Sequence, residues 1–178
     1  MASFTPIGSN LGVDLNNQSD SQLFALGTHC YGSQDTEWVY LQANSSISAR
    51  TIIAFTGAGS AGMASGNDLL NGLQLATAQT TVSVSSYFWA AIRGIGLTVL
   101  TTGSCTAVAW TSATGNGNIT IAASGIPTGV LAQSQSSGSA AASGIVAGIA
   151  FTDCTNQTAT ATYTVATLSW PAGAAAGL

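Results

Sequence analysis

The chain has 178 residues, 46% of them hydrophobic and 4% charged, with two arginines, no lysine and a net charge of −4. Affinity for nucleic acid rests on many cations, so two arginines exclude it, and the high apolar content excludes disorder. A free domain covers roughly a quarter to a third of its surface with charge, so much of this surface is expected to face another protein.

Residues 1–27 come first. Phe4, Ile7, Leu11, Val13 and Leu15 are separated by Gly8, Asn10, Gly12 and Asn16 with neither a helical nor a strand period. They read as an extended arm, stable only when docked, whose apolar side chains are candidate contacts to another protein. Met1-Ala-Ser-Phe-Thr-Pro has no basic residue ahead of an apolar core, so it reads as no secretory signal and folding is expected in a cytoplasm. Without export, the Asn-x-Ser/Thr triplets at Asn17, Asn44, Asn118 and Asn156 carry no meaning.

Residues 28–170 read as a single all-β domain, a β-sandwich or small β-barrel. Helix formers are scarce, and β-branched and aromatic residues gather in short runs between Gly, Ser and Asn clusters. Strands are expected at 37–42, 51–56, 80–85, 88–101, 107–111, 118–122, 145–152 and 158–169, enough for a sandwich or barrel. Residues 81–85 alternate strictly, and 160–168 mostly, around Tyr163 and Val165, so each run is expected to have one buried and one exposed face. The exposed faces would be Ser and Thr, a weak defence against edge association.

The stretch 134–143 is a Ser/Ala/Gly loop. Pro171 is expected to end the last strand, leaving 171–178 as a flexible tail. The longest apolar tract, 140–151, is broken by Ser143, Gly144 and Gly148 and is shorter than the roughly 20 residues a spanning helix needs. No membrane-barrel pattern of alternating ten-residue segments runs through the chain either, so no membrane partner is expected.

Chemistry-bearing motifs are sparse. Gly57-Ala-Gly59-Ser-Ala-Gly62 matches G-x-G-x-x-G, but no acid follows about 20 residues on and no βαβ pattern surrounds it, so it reads as an inter-strand loop with a helical turn near 68–75. His29 is the only histidine, and a triad would need a distant serine and aspartate without a Gly-x-Ser-x-Gly elbow. Cys30, Cys105 and Cys154 are odd in number and widely spaced. They read as small buried hydrophobes, with no C-x-x-C pair to seed a zinc site.

Asp35 and Glu37 share a strand face, as a glycosidase pair would, yet Gln34-Asp-Thr-Glu-Trp reads as a solvated strand entrance. No catalytic residue, metal or cofactor is therefore expected. Arg50 and Arg93 read as buried or interfacial partners of acids. Tyr87-Phe-Trp89 places at least one ring away from the side that buries its neighbours, so Tyr87 and Trp89 join the candidate interface.

Three segments carry a resemblance: Glu37-Trp-Val-Tyr-Leu-Gln-Ala-Asn-Ser-Ser-Ile-Ser-Ala, Ser86-Tyr-Phe-Trp-Ala-Ala-Ile-Arg-Gly-Ile-Gly, and residues 104–118. Their order resembles the capsid decoration or cement proteins of tailed bacteriophages. The family writes an aromatic-rich strand with a small-residue turn, then an aromatic-Trp strand ending in glycine, then an Ala/Thr-rich strand and turn. The resemblance implies a β-rich, commonly trimeric virion protein, made in the host bacterial cytoplasm, that binds the major capsid protein on the outer lattice and bridges capsomers. Family members usually carry more charge than this chain. With no lysine, a lysine-based isopeptide cross-link is ruled out and reinforcement would be noncovalent. The alternative is a receptor- or glycan-binding β-module of a phage fibre or tail, with Tyr87 and Trp89 stacking on sugar rings.

Overall fold

A computed structural model describes residues 13–65, 68, 71, 73–101, 119–121, 131–133, 145–153 and 162–174. The described chain is all-β. Its strands are β1 (Gln18–Ser19), β2 (His29–Gly32), β3 (Thr36–Ala43), β4 (Ile52–Phe55), β5 (Ser60–Met63), β6 (Gln74–Thr77), β7 (Tyr87–Thr101), β8 (Ile119–Ile121), β9 (Leu131–Gln133), β10 (Ile145–Asp153) and β11 (Thr162–Ala174).

Five strands close a barrel. β3 pairs antiparallel with β7, β7 with β6, β6 with β4 and β4 with β5, and β5 returns to β3 in parallel. Strand periodicity turns alternate residues to opposite faces, and one parity is apolar all round the ring. Val39, Leu41, Ile53, Phe55, Ala61, Ala76, Phe88, Ala90 and Ile92 belong to one buried cluster, with Ile47 and Val82. This is the barrel interior. Each large side chain fully buried there contributes roughly 1.5–3 kcal/mol.

The other parity carries Trp38, Tyr40, Ile52, Leu75 and Trp89, and elements outside the ring cover it. Val13, Leu15, Cys30, Ile149 and Leu168 join that second cluster, with Phe24 and Leu26 packed against it. The described end of the expected arm, residues 13–27, thus lies on this chain's own barrel, and β1 pairs with β7 through Gln18/Phe88 and Ser19/Tyr87.

β7 is 15 residues long and outlasts the barrel. Its later half pairs with β11, β11 with β10, β10 with β8 and β8 with β9, which meets β7 again at Thr101/Leu131.

Several local expectations change. No strand forms over 80–85: Val82 makes an isolated bridge with Ile47, and a turn over 83–86, with Ser85 at φ 68°, redirects the chain into β7. Val82 is consequently buried while Val84 is 56% exposed, so the two do not share a face of one strand. The strand also does not stop at Pro171. Ala172 faces Ala147 and Leu168 faces Ile149, so residues 169–171 bulge opposite Gly148 alone; a bulge tolerates proline because it needs no ladder donor there. Gly57 and Gly59 lie in the β4–β5 hairpin turn, where Gly59, at φ 82°, donates to Thr56 O, and Gly62 lies in β5. A Cβ on Gly59 would stand 2.6 Å from the Cβ of Leu26, so the close approach demands glycine. Of the helical turn expected at 68–75, Asp68 is helical among the described residues, and β6 begins at Gln74.

The runs at 37–42, 51–56, 88–101, 118–122, 145–152 and 158–169 correspond to β3, β4, β7, β8, β10 and β11. The run 107–111, the loop 134–143 and the side chains of Tyr163 and Val165 lie outside what is described.

Candidate partner-binding surface

The turn from β2 into β3 is built from a polar relay. Thr36 Oγ1 donates to Ser33 O at 2.7 Å and accepts from the buried Trp38 Nε1 at 2.9 Å. The relay holds Gln34 and Asp35 at positive φ, 62° and 55°. Polar residues visit this left-handed region more readily than bulky ones, and Asp35 is thereby aimed at β7.

There Arg93 Nη2 donates to Asp35 Oδ2 at 2.6 Å. The same guanidinium lies over the Trp170 ring, 5.2 Å from its centre. Trp170 sits in the β11 bulge at φ 43°, a genuine outlier for a bulky residue, and is 56% exposed. Ile95, also exposed, donates its backbone N–H to Gln34 O at 3.3 Å. One step across the sheet, Glu37 stands opposite both Arg93 and Tyr31, and its buried carboxylate contacts His29 Nδ1 at 2.7 Å. Paired cross-strand residues share a face.

A single surface therefore gathers His29, Asp35, Glu37 and Arg93 with Tyr31, Ile95 and Trp170, three of the five exposed large hydrophobics among the described residues. Gly94, at φ 142°, lies at its centre and lets the backbones touch: a Cβ there would be 2.4 Å from Thr36 Cγ2. Backbone outliers cost about 1–3 kcal/mol each and collect where surrounding structure holds them for a purpose. Tyr, Trp and Arg are the residue types that anchor interfaces.

Arg93 is thus on this surface, as an acid's partner. The other residues singled out from sequence fall elsewhere. Phe4, Ile7 and Leu11 lie outside the described residues. Val13 and Leu15 are buried in the chain's own core. Trp89 is buried too, under Phe24 and Tyr40 with ring centres 5.4 and 5.0 Å away, so it offers no exposed platform; Tyr87 remains half-buried. Arg50, at φ 63°, is tied by its backbone to Ala78 O and Leu100 N–H. Tyr31, Ile95 and Trp170 escaped sequence reasoning, because their grouping depends on register and on a bulge.

Asp35 and Glu37 each hold a different basic partner, so their carboxylates do not face one another as a matched pair. His29 and Cys30 are adjacent on β2, one exposed and one buried, and point to opposite faces. Among the described residues no group of three His, Cys, Asp or Glu side chains is placed to hold a metal ion, and no helix is long and apolar enough to cross a membrane.

Comparison with protein-family models, curated proteins and solved structures finds no match to this chain.

Proposed function

We propose that the chain is a non-catalytic virion protein, a noncovalent decoration or cement protein that binds the major capsid protein on the outer surface of a tailed-bacteriophage capsid and bridges capsomers. The observation that carries this reading is the Arg93–Trp170 surface. In a chain with 4% charged residues, ionic groups, exposed aromatics and backbone strain converge there. With no lysine in the chain, little like-charge repulsion opposes a neighbouring protein. A homotrimer belongs to the same reading.

The test is decoration of capsids assembled without this protein. Wild-type protein should appear as defined density on the capsid exterior by electron microscopy, and an R93A/W170A double variant should leave the particles bare while keeping its own circular dichroism spectrum. Equal decoration by both would remove the surface from the argument, and failure of the wild type to bind would end the capsid reading. Sedimentation of the free protein checks the trimer separately.

The fibre or tail reading requires aromatic rings open to sugars. With Trp89 buried, it rests on Tyr87 alone and on the cavity beside it.

A further inference from the structure

Beneath residues 13–24 lies a cavity of about 160 Å³, between the amino-terminal segment and the outer wall of the barrel. Its floor is aromatic. Tyr40 and Tyr87 stack nearly parallel, 13° between planes and 6.1 Å between centres, and Phe24 meets Tyr40 edge-on at 5.3 Å. Its rim is polar, carrying Asp14, Asn17 and Gln18. A cavity of about 150 Å³ holds a ring the size of benzene.

The polar groups are not all used up within the chain. Tyr40, only 2% exposed, accepts the Leu23 N–H through its hydroxyl at 3.0 Å, and its own proton has no acceptor among the described residues. The Tyr87 hydroxyl has no hydrogen-bond partner among them. Asp14 accepts one bond at each carboxylate oxygen, from Asn16 N and Asn17 Nδ2, and each oxygen retains acceptor capacity. Gln18 is committed to Ser83 at both ends of its amide.

The cavity thus pairs an apolar aromatic floor with unspent phenol donors and a carboxylate acceptor. Binding pockets have this form: a mostly apolar lining with a few placed polar groups. The lining contains no cation, which disfavours an anionic ligand. A quaternary ammonium would suit the rings and Asp14 but leaves the phenol protons without acceptors. A neutral ring with C–H bonds on its faces and hydroxyls at its edge satisfies both sets.

We propose that this cavity binds one pyranose ring of a neutral sugar, with the ring against Tyr87 and its hydroxyls bonded to Asp14 and the two tyrosine hydroxyls. The site names a ligand class for Tyr87, and it stands or falls independently of capsid attachment.

The experiment is saturation-transfer NMR on the full chain with methyl glucoside, galactoside, mannoside and N-acetylglucosaminide, and with tetramethylammonium as the competing chemistry. The expected result is transfer to the ring C–H protons of at least one pyranoside with a millimolar Kd. D14N should weaken it by at least about tenfold, and Y87F should weaken it while leaving transfer to the C–H protons detectable. Both variants keep the aromatic floor, and unchanged melting curves would show that the fold survives. No transfer from any pyranoside up to its solubility limit overturns the proposal. So does binding that D14N and Y87F both leave unchanged, or binding of tetramethylammonium alone.

Discussion

The guanidinium of Arg93 rests over the indole of Trp170, 5.2 Å from the ring centre, and the two residues come from different strands. The contact is worth about 0.5–1 kcal/mol at an exposed site. Asp35 holds the same guanidinium through Nη2, so the side chain is ordered in the free protein and less entropy would be lost on binding.

Trp170→Ala should accordingly separate binding from stability. If the proposed capsid attachment holds, affinity for the coat protein should fall by at least about 30-fold, as for a central interface anchor, while the urea midpoint moves by less than the equivalent of about 1 kcal/mol. Titration of particles with labelled protein, alongside urea unfolding, reads both. A large loss of stability with binding intact would make Trp170 a structural residue.

Thr36→Val keeps the side-chain shape and removes the oxygen that serves both Ser33 and Trp38. Trp38 is fully buried, so the loss of this hydrogen bond from its indole N–H costs about 0.5–1.5 kcal/mol. Urea unfolding measures the loss. The turn carrying Asp35 should loosen as well, visible as faster amide exchange over 33–36.

Gly94→Ala drives a methyl group to 2.4 Å from Thr36 Cγ2 and 2.9 Å from its Cα, at a backbone φ of 142°. Backbone strain and overpacking together predict about 2–5 kcal/mol of destabilisation. Gly57→Ala is the control, since nothing lies within 4 Å of the added carbon, and its melting temperature should stay close to the wild type.

Leu15→Ala tests whether the amino-terminal segment belongs to the core. Leu15 is 2% exposed in the cluster that covers the barrel's outer wall, and truncating such a residue costs about 2–5 kcal/mol. Differential scanning calorimetry should show a clear drop in melting temperature. An unchanged value would mean that the segment contributes no stability.

The strand class was legible because β-branched and aromatic runs such as 37–42 and 88–101 declare themselves locally. β2 and β5 were not, since His-Cys-Tyr-Gly and Ser-Ala-Gly-Met gain strand geometry only from their partners, β3 and β4. Thr81-Val-Ser-Val misled for the converse reason: alternation without a continuous neighbour gives one bridge and an exposed Val84. At the surface, Arg93 could be singled out as a rare cation. Its relation to Trp170 could not, because it depends on residues 169–171 bulging opposite one glycine, a property of pairing between distant strands.

β7 is a wall of the barrel in its first half and the partner of β11 in its second. No linker intervenes. A pull along the axis of β11 is therefore passed to the barrel as shear across antiparallel hydrogen bonds, which share the load, whereas a pull across the sheet would break them in succession. Arg93 stands on that path of force, paired with Glu37 of β3 and Ser169 of β11, so a load delivered at the charged and aromatic surface enters the molecule where β7 passes from one neighbour to the other.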